Sequence, residues 1–440
     1  MTTLRAVKGM NDVLPDEIDV WHRVERLYAR TMELHGFREV RTPCVEPTSL
    51  FVRAIGEVTD VVEKEMYSFE HRGEPLTLRP EGTAGAARAY IEHAVSTKES
   101  ASRWWYAGPM FRAERPQRGR YRQFYQLGAE VFGEEAPGSD AAMIDMLFGF
   151  LSQLGILDLE VVINSIGGQD ARTLYRDAVV RHLTPKAGEL SPESQRRLTT
   201  NPLRILDSKD DRDRKAIEDG PNIHDVLGEE DREHFSRLRA HLDALGTPYS
   251  VEPRLVRGLD YYTRTLFEVR GASEKLGSGS TLAGGGRYDS LVADLGGPRV
   301  PAVGFAIGLE RLLIASSLEL RASVVDVLIA PLGQAAISAA LVLARPLRSG
   351  GIRCEVDTRG TSLKSQLRRA NALGASIVVI LGDAELAEGV VQVKDLAAHT
   401  QERMTAEEAV RVVVGRLTGP AATVGPRGIQ GEPQTHSEKS

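Results

Sequence analysis

A chain of 440 residues, 42% hydrophobic and 26% charged, has an ordinary globular composition, and its length allows about three domains. Against 61 Asp and Glu stand 55 Lys and Arg, so the net charge of −6 excludes a generally basic nucleic-acid coat but not a local basic patch. Cys44 and Cys354 are too few for a disulfide framework and too far apart in sequence for a zinc knuckle. The first residues carry acids where a signal peptide needs an apolar core, and the most apolar stretch, 324–344, is broken by Asp326, Pro331 and Gln334. The expectation is a cytoplasmic protein without a membrane span.

Pro15 at the entrance, Val20, Val24, Leu27 and Leu34 near helical spacing, and Gly36 as a stop predict an amphipathic helix over 16–35. A short strand-like piece follows (GFREVRTPCVEPT), then strand character over 59–80 ending in LTLRPEGT. Residues 103–132 predict a long hairpin, RWWYAGPMFRAE and YRQFYQLGAEVFG, joined by RPQRGR, and 139–155 return to helix. From 168 to 245 the chain is highly charged and helical, without strand runs, and reads as a helical insertion. Strands resume at RLVRGLDYYTRTLFEVR, then come the Gly-rich GSGSTLAGGGRYD and PAVGFAIGLERLL, which passes through Gly308 into a helix. Beyond Val325, VDVLIA, IRCEV, SIVVIL and VVQVKDL alternate with helices near 334–349, 361–373 and 405–417. That pattern predicts a small α/β domain around a mostly parallel sheet, its last helix opened by Thr405 and Glu408 at capping-box spacing. Residues 418–440 hold too few large apolar groups to offset ordering entropy and are expected to be disordered.

Phosphate-loop, dinucleotide, zinc-protease and nucleophile-elbow motifs are all absent, which leaves arginines as candidates for gripping phosphate. On the second hairpin arm, period-two alternation puts Arg122, Phe124, Gln126, Gly128, Glu130 and Phe132 on one face, opposite the more apolar Gln123, Tyr125, Leu127, Ala129 and Val131. A basic residue, an aromatic, an amide and a carboxylate around a glycine suit a small-molecule pocket, although alternation alone equally allows a charged, solvated sheet face. Five arginines, Arg112, Arg115, Arg118, Arg120 and Arg122, fall within eleven residues with Glu114 as the sole acid, which suits a polyanion.

The same segments carry a close resemblance. Pro43 in a strand after a long helix, Phe111-Arg112-x-Glu114 in the hairpin, and GFA-x-GLER over 304–311 resemble the three signature motifs of class II aminoacyl-tRNA synthetases. LVRGLDYY (255–262) and AGGGRYD (283–289) are similar to the two motifs peculiar to histidyl-tRNA synthetases, and LRPEGT and FRAERPQRGRYRQF also match that family. The resemblance runs from about residue 4 to 417. Departures are few: Tyr125 and Ala129 stand where His and Cys are common, 284–286 hold an extra Gly, and Ser290 replaces a usual Gly.

The resemblance implies an α+β class II catalytic domain, a mixed, largely antiparallel sheet with helices, formed by 1–167 and 246–322. It further implies a helical insertion at 168–245 that approaches the tRNA acceptor stem, a C-terminal α/β anticodon-binding domain at 323–417, and a tail at 418–440 without family counterpart. The implied reaction is activation of L-histidine with ATP and Mg²⁺, then transfer to tRNA(His). Arg112 and Arg311 would hold the α- and γ-phosphates, Arg120 the γ-phosphate, Phe124 would stack on adenine and Glu114 would accept from its amino group. Glu130 and Tyr262 would read the imidazole, Glu81, Thr83 and Gln126 the α-ammonium, and Tyr261 and Tyr288 would wall the pocket. Arg257 would lie beside the α-phosphate and substrate carboxylate. Arg115 and Gln117 would meet the tRNA, and no metal ligand is assigned. The first motif implies a homodimer. Two rivals are a catalytically silent paralogue serving as regulatory subunit of a histidine-biosynthesis phosphoribosyltransferase, and a kinase-fused sensor of uncharged tRNA. The intact LVRGLDYY and C-terminal domain oppose the first, and the lack of a kinase motif opposes the second.

Overall fold

The computed structural model describes residues 3–56, 59–156, 158–271, 276, 281–318 and 324–418. The expected disordered tail from 419 onward lies outside them. The chain forms two compact units, Met1–Leu320 and Arg321–Ser440. Among the described residues no helix is long and apolar enough to cross a membrane.

The first unit is built on an eight-stranded sheet. Its spatial order is Arg38–Glu39, Ser102–Phe111, Gln123–Phe132, Ala302–Gly308, Thr281–Arg287, Thr263–Arg270, Glu160–Ser165 and Tyr249–Val251. The two edge pairings are parallel and every pairing between them is antiparallel. Both faces are covered. On one lie the helices Ile18–Leu34, Pro137–Gln153, Glu229–Leu245 and Leu309–Ala315, with Tyr28, Phe150, Leu238 and Phe305 in the core. On the other, the helices Thr48–Ile55 and Thr83–Glu92 bury Phe51 and Tyr90 with Tyr106, Tyr261, Tyr262 and Tyr288.

Val20, Trp21, Val24, Tyr28 and Met32 recur at helical spacing and define the buried stripe of the first helix, which begins at Ile18. Leu34, expected on that stripe, is 66% exposed because it falls at the helix end, where Gly36 (φ 77°) turns the chain away. The strand character of 59–80 resolves into a helical turn, Val61–Glu65, and a hairpin, Tyr67–His71 with Glu74–Leu78. Arg72 and Gly73, both at positive φ, make its two-residue turn. RLVRGLDYY, expected as the start of a strand, is irregular up to Tyr262, and the strand itself is Thr263–Arg270.

The expected insertion 168–245 divides in its packing. Its own apolar cluster runs from Ala171 to Leu227, while Phe235, Leu238 and Leu242 of the helix Glu229–Leu245 belong to the main core. A buried network stitches that helix in place. Arg287 and Asp140, both without exposed side-chain surface, form an ion pair, and Asp140 also accepts from His234 (2.9 Å) and Thr265 (2.6 Å).

In the second unit the strand order is Cys354–Val356, Val327–Pro331, Ile377–Leu381, Val390–Asp395 and Thr400–Thr405. The sheet is mixed, not mostly parallel: the first three strands are parallel, and the last two add antiparallel. Asp395 accepts from the N–H groups of Ala397 and Ala398, and His399 adopts φ 55°, so the chain reverses instead of crossing over. Thr400–Thr405 escapes sequence reading because this polar edge strand is exposed except at Met404, its one core residue.

Candidate active site

The expected hairpin forms between Ser102–Phe111 and Gln123–Phe132. Its second arm is buried on both faces from Gln126 onward, so the solvated-face alternative fails. Arg122, expected on the pocket face, precedes the strand and donates to the carbonyls of Glu114 (3.3 Å) and Lys8 (3.3 Å).

Gln126, Gly128 and Glu130 do share a face, and Glu130 is its electrostatic centre. Its carboxyl group, fully buried, accepts from Thr83 Oγ1 (2.7 Å), Tyr106 OH (3.0 Å) and Tyr288 OH. Burial pushes its pKa up to about 8 against the pull of those three hydroxyls. Glu81, also buried, accepts from the backbone N–H groups of Thr83 (2.6 Å) and Ala84 (2.8 Å) at the start of Thr83–Glu92. Its carboxyl too is raised by burial, with the backbone donors and Arg112 opposing.

At this candidate pocket three phenol rings pack together, Tyr261 lying 4.7 Å from Tyr262 and 5.5 Å from Tyr288 between centroids. Gln126, 8% exposed, presents a buried side-chain oxygen with no partner among the described residues. An unpaired buried acceptor costs about 1–3 kcal/mol, which makes this atom a candidate acceptor for a ligand donor.

Beside this pocket the arginines gather. Arg112 donates to Pro80 O (2.8 Å), and its guanidinium lies 5.4 Å from the Phe124 ring centre. Arg311 donates to Thr281 O (2.9 Å); burial and then the Arg120 charge hold its pKa below the ordinary value. Arg120 faces Glu114 at 3.6 Å. Arg257 forms an ion pair with Glu268, and its guanidinium occupies the space a Gly284 side chain would fill. Although burial works against its charge, Glu268 holds the Arg257 pKa above normal. Arg115 and Gln117 are exposed on the connecting loop, where Gln117 and Arg120 exchange backbone hydrogen bonds across Gly119 (φ 73°).

Sequence reading missed three residues of this region. Tyr106 fits because Gly82 and Gly128 lack side chains, and Gly128 sits directly across from it in register; a strand glycine opposite an aromatic was the available signal. Gly304 lies opposite Glu130, and a methyl group there would overlap Glu130 Oε2. Glu268 carried no motif.

A six-stranded antiparallel core with short parallel edges, helices on both faces and arginine-bearing second and third motifs is the catalytic fold of class II aminoacyl-tRNA synthetases. The histidyl-tRNA synthetase family model matches residues 9–312, and an anticodon-binding domain model matches 326–416. Histidine–tRNA ligase of Sorangium cellulosum is 56% identical over 413 residues, 94% of this chain and 96% of that one. The Cyanothece sp. enzyme is 49% identical over 91% and 94% of the two chains. Apo histidyl-tRNA synthetase of S. aureus superposes with a TM-score of 0.78 at 35% identity, covering 94% of this chain and all of that one. This chain belongs to the histidyl-tRNA synthetase family.

Proposed function

We propose that the chain activates L-histidine with ATP to histidyl-adenylate and transfers the histidyl group to the 3′ end of tRNA(His), as a cytoplasmic homodimer. The observation that carries the reading is the buried Glu130 carboxyl, ringed by hydroxyl donors on the same strand face as the unpaired Gln126 oxygen. A ring N–H donated to Glu130 and the Tyr262 hydroxyl on the other imidazole nitrogen reject side chains that leave those buried groups unpaired. Glu81, Thr83 and Gln126 receive the α-ammonium, and Tyr261 and Tyr288 wall the imidazole.

The histidine carboxylate oxygen attacks the α-phosphorus in line and pyrophosphate leaves; the tRNA ribose 3′-hydroxyl then displaces AMP from the acyl carbon. No nucleophile of the chain is needed. Arg112 and Arg257 take the charge developing at the α-phosphate, while Arg311 and Arg120 hold the γ-phosphate. The partly desolvated, charge-crowded Arg311 suits an incoming anion. Phe124, with Arg112 on its ring, is the adenine platform, and Glu114 accepts from the adenine amino group. Mg²⁺ would arrive with the ATP phosphates. Glu268, paired with Arg257, is the carboxylate that would hold the ion, which would neutralise phosphate charge. Arg115 and Gln117 meet the tRNA, and the exposed Pro43, Cys44 and Val45 belong to the homodimer surface.

The test is ATP–pyrophosphate exchange with each amino acid in turn. Exchange with histidine alone is expected. Histidine binding without any exchange would favour the regulatory paralogue, a reading opposed by the matched anticodon-binding domain.

A further inference from the structure

Arg257 and the two tyrosines after it sit on a segment without regular secondary structure. The start of that segment is anchored: Asn164 Nδ2 donates to Pro253 O and Leu255 O, both at 3.1 Å. From Val256 to Tyr262, the backbone hydrogen bonds among the described residues converge on Asp260. Its N–H donates to Ile55 O (3.2 Å), and its carbonyl accepts from Arg172 Nη1 (2.5 Å). The side chain is held from the same direction, by Arg172 Nη2 (3.3 Å) and by Asn201 Nδ2 (3.3 and 3.4 Å).

Arg172 and Asn201 both come from the insertion, Arg172 from the helix Gln169–Leu183 and Asn201 from the bend after Pro192–Thr200. A third insertion residue packs alongside. The guanidinium of Arg204 lies 3.3–3.4 Å from where a Gly258 side chain would begin, and it is held there by Asp60 (3.6 Å) and Asp207 (3.9 Å). The apolar cluster of the insertion is separate from both catalytic cores, and these polar contacts, together with Arg254 donating to Glu218 O, tie it to the arginine-bearing loop. A planar fork that takes a carbonyl and a carboxylate of one residue fixes orientation as well as distance.

We propose that Arg172 is a positioning residue for adenylate formation: with Asn201 it grips Asp260 and so aims Arg257 at the reacting phosphate. The inference rests on the assignment of Arg257 made above. Arg172→Ala is expected to lower kcat for histidine-dependent pyrophosphate exchange about tenfold, as slight misplacement of a charge-stabilising group does. The KM for ATP should stay within about twofold, because Arg112, Arg311 and Phe124 are untouched. Arg172→Lys, which keeps the charge but loses the fork, should recover part of the loss.

The decisive measurement repeats Arg172→Ala in an Arg257→Ala background by single-turnover adenylate formation. Residues acting through one another are not additive, so the second change should then cost less than about twofold. A wild-type kcat for Arg172→Ala, or its full penalty when Arg257 is already gone, overturns the proposal. If Arg172→Ala proves unstable in thermal melting, the isosteric Asp260→Asn faces the same two criteria. Undiminished adenylation by Arg257→Ala alone would instead refute the site assignment, and the inference would fall with it.

Discussion

The Glu130 carboxyl is wholly buried, with a pKa near 8 against an ordinary 4.5, and this makes folding a proton-uptake reaction. Between those two values the unfolded chain has shed the proton that the empty, folded pocket retains. A group raised in this way contributes its full stability below pH 4.5 and loses it progressively as pH climbs toward 8, at about 1.4 kcal/mol per pH unit. At pH 7 the loss is roughly 3 kcal/mol. Glutamine is close in shape to the protonated carboxyl and carries no such cost. The hydroxyls of Thr83, Tyr106 and Tyr288 can donate to its oxygen or accept from its amide. Glu130→Gln should therefore match wild type near pH 4.5 and exceed it in stability by about 3 kcal/mol at pH 7, rising to roughly 4 kcal/mol at pH 8.

Ligand binding should reverse that order. The charged acceptor for the imidazole N–H is gone, so histidine affinity is expected to fall roughly tenfold to a hundredfold, with ATP affinity nearly unchanged. In wild type, histidine binding at pH 7 should release a proton from Glu130, and the variant should release none from this position. Denaturant unfolding across pH 4.5–9 and titration calorimetry in buffers of different ionisation enthalpy measure both effects. Stability curves that run parallel across this range, or equal losses for histidine and ATP, would refute the reasoning.

Arg257→Ala should lower the rate of adenylation by the equivalent of roughly 2–4 kcal/mol while histidine binding weakens less; single-turnover formation within threefold of wild type would sink the assignment. Arg115→Ala, on the exposed loop, should leave pyrophosphate exchange nearly intact but slow aminoacyl transfer, with a shallower salt dependence of tRNA binding; equal losses in both half-reactions would assign the loop to ATP. Gly304→Ala drives a methyl group into Glu130 Oε2 and should cost about 1–3 kcal/mol in thermal stability together with histidine binding, so wild-type values for both would be incompatible with the observed packing. Asp140→Ala leaves the buried Arg287 with Asp289 (3.1 Å) as its remaining carboxylate and should cost roughly 2–4 kcal/mol in denaturant unfolding, whereas a loss below about 1 kcal/mol would mean that the pair is solvated.

Local pattern carried much of the architecture. The hairpin, the opening amphipathic helix and the alternation beyond Val325 were legible because periodicity and turn residues are properties of short segments. The face shared by Gln126 and Glu130 was legible for the same reason. What alternation could not decide was whether that face met water, since a strand's two-residue period is the same under either cover. Tertiary structure decided it by laying Thr83, Tyr106 and Tyr288 on Glu130 from three other elements. It also decided the partners that no motif announces. Glu268 reaches Arg257 across the bend at Tyr262, and Arg172 reaches Asp260 from 88 residues away. The exposed polar strand Thr400–Thr405 was invisible for the complementary reason: it is held by backbone pairing to its neighbour, and its side chains carry almost no trace of burial. Residue order thus determined which local shapes form and which chemistry each carries. Charge burial, cross-element hydrogen bonds and edge pairing depend on surfaces brought together from distant parts of the chain, and only the folded arrangement supplies them.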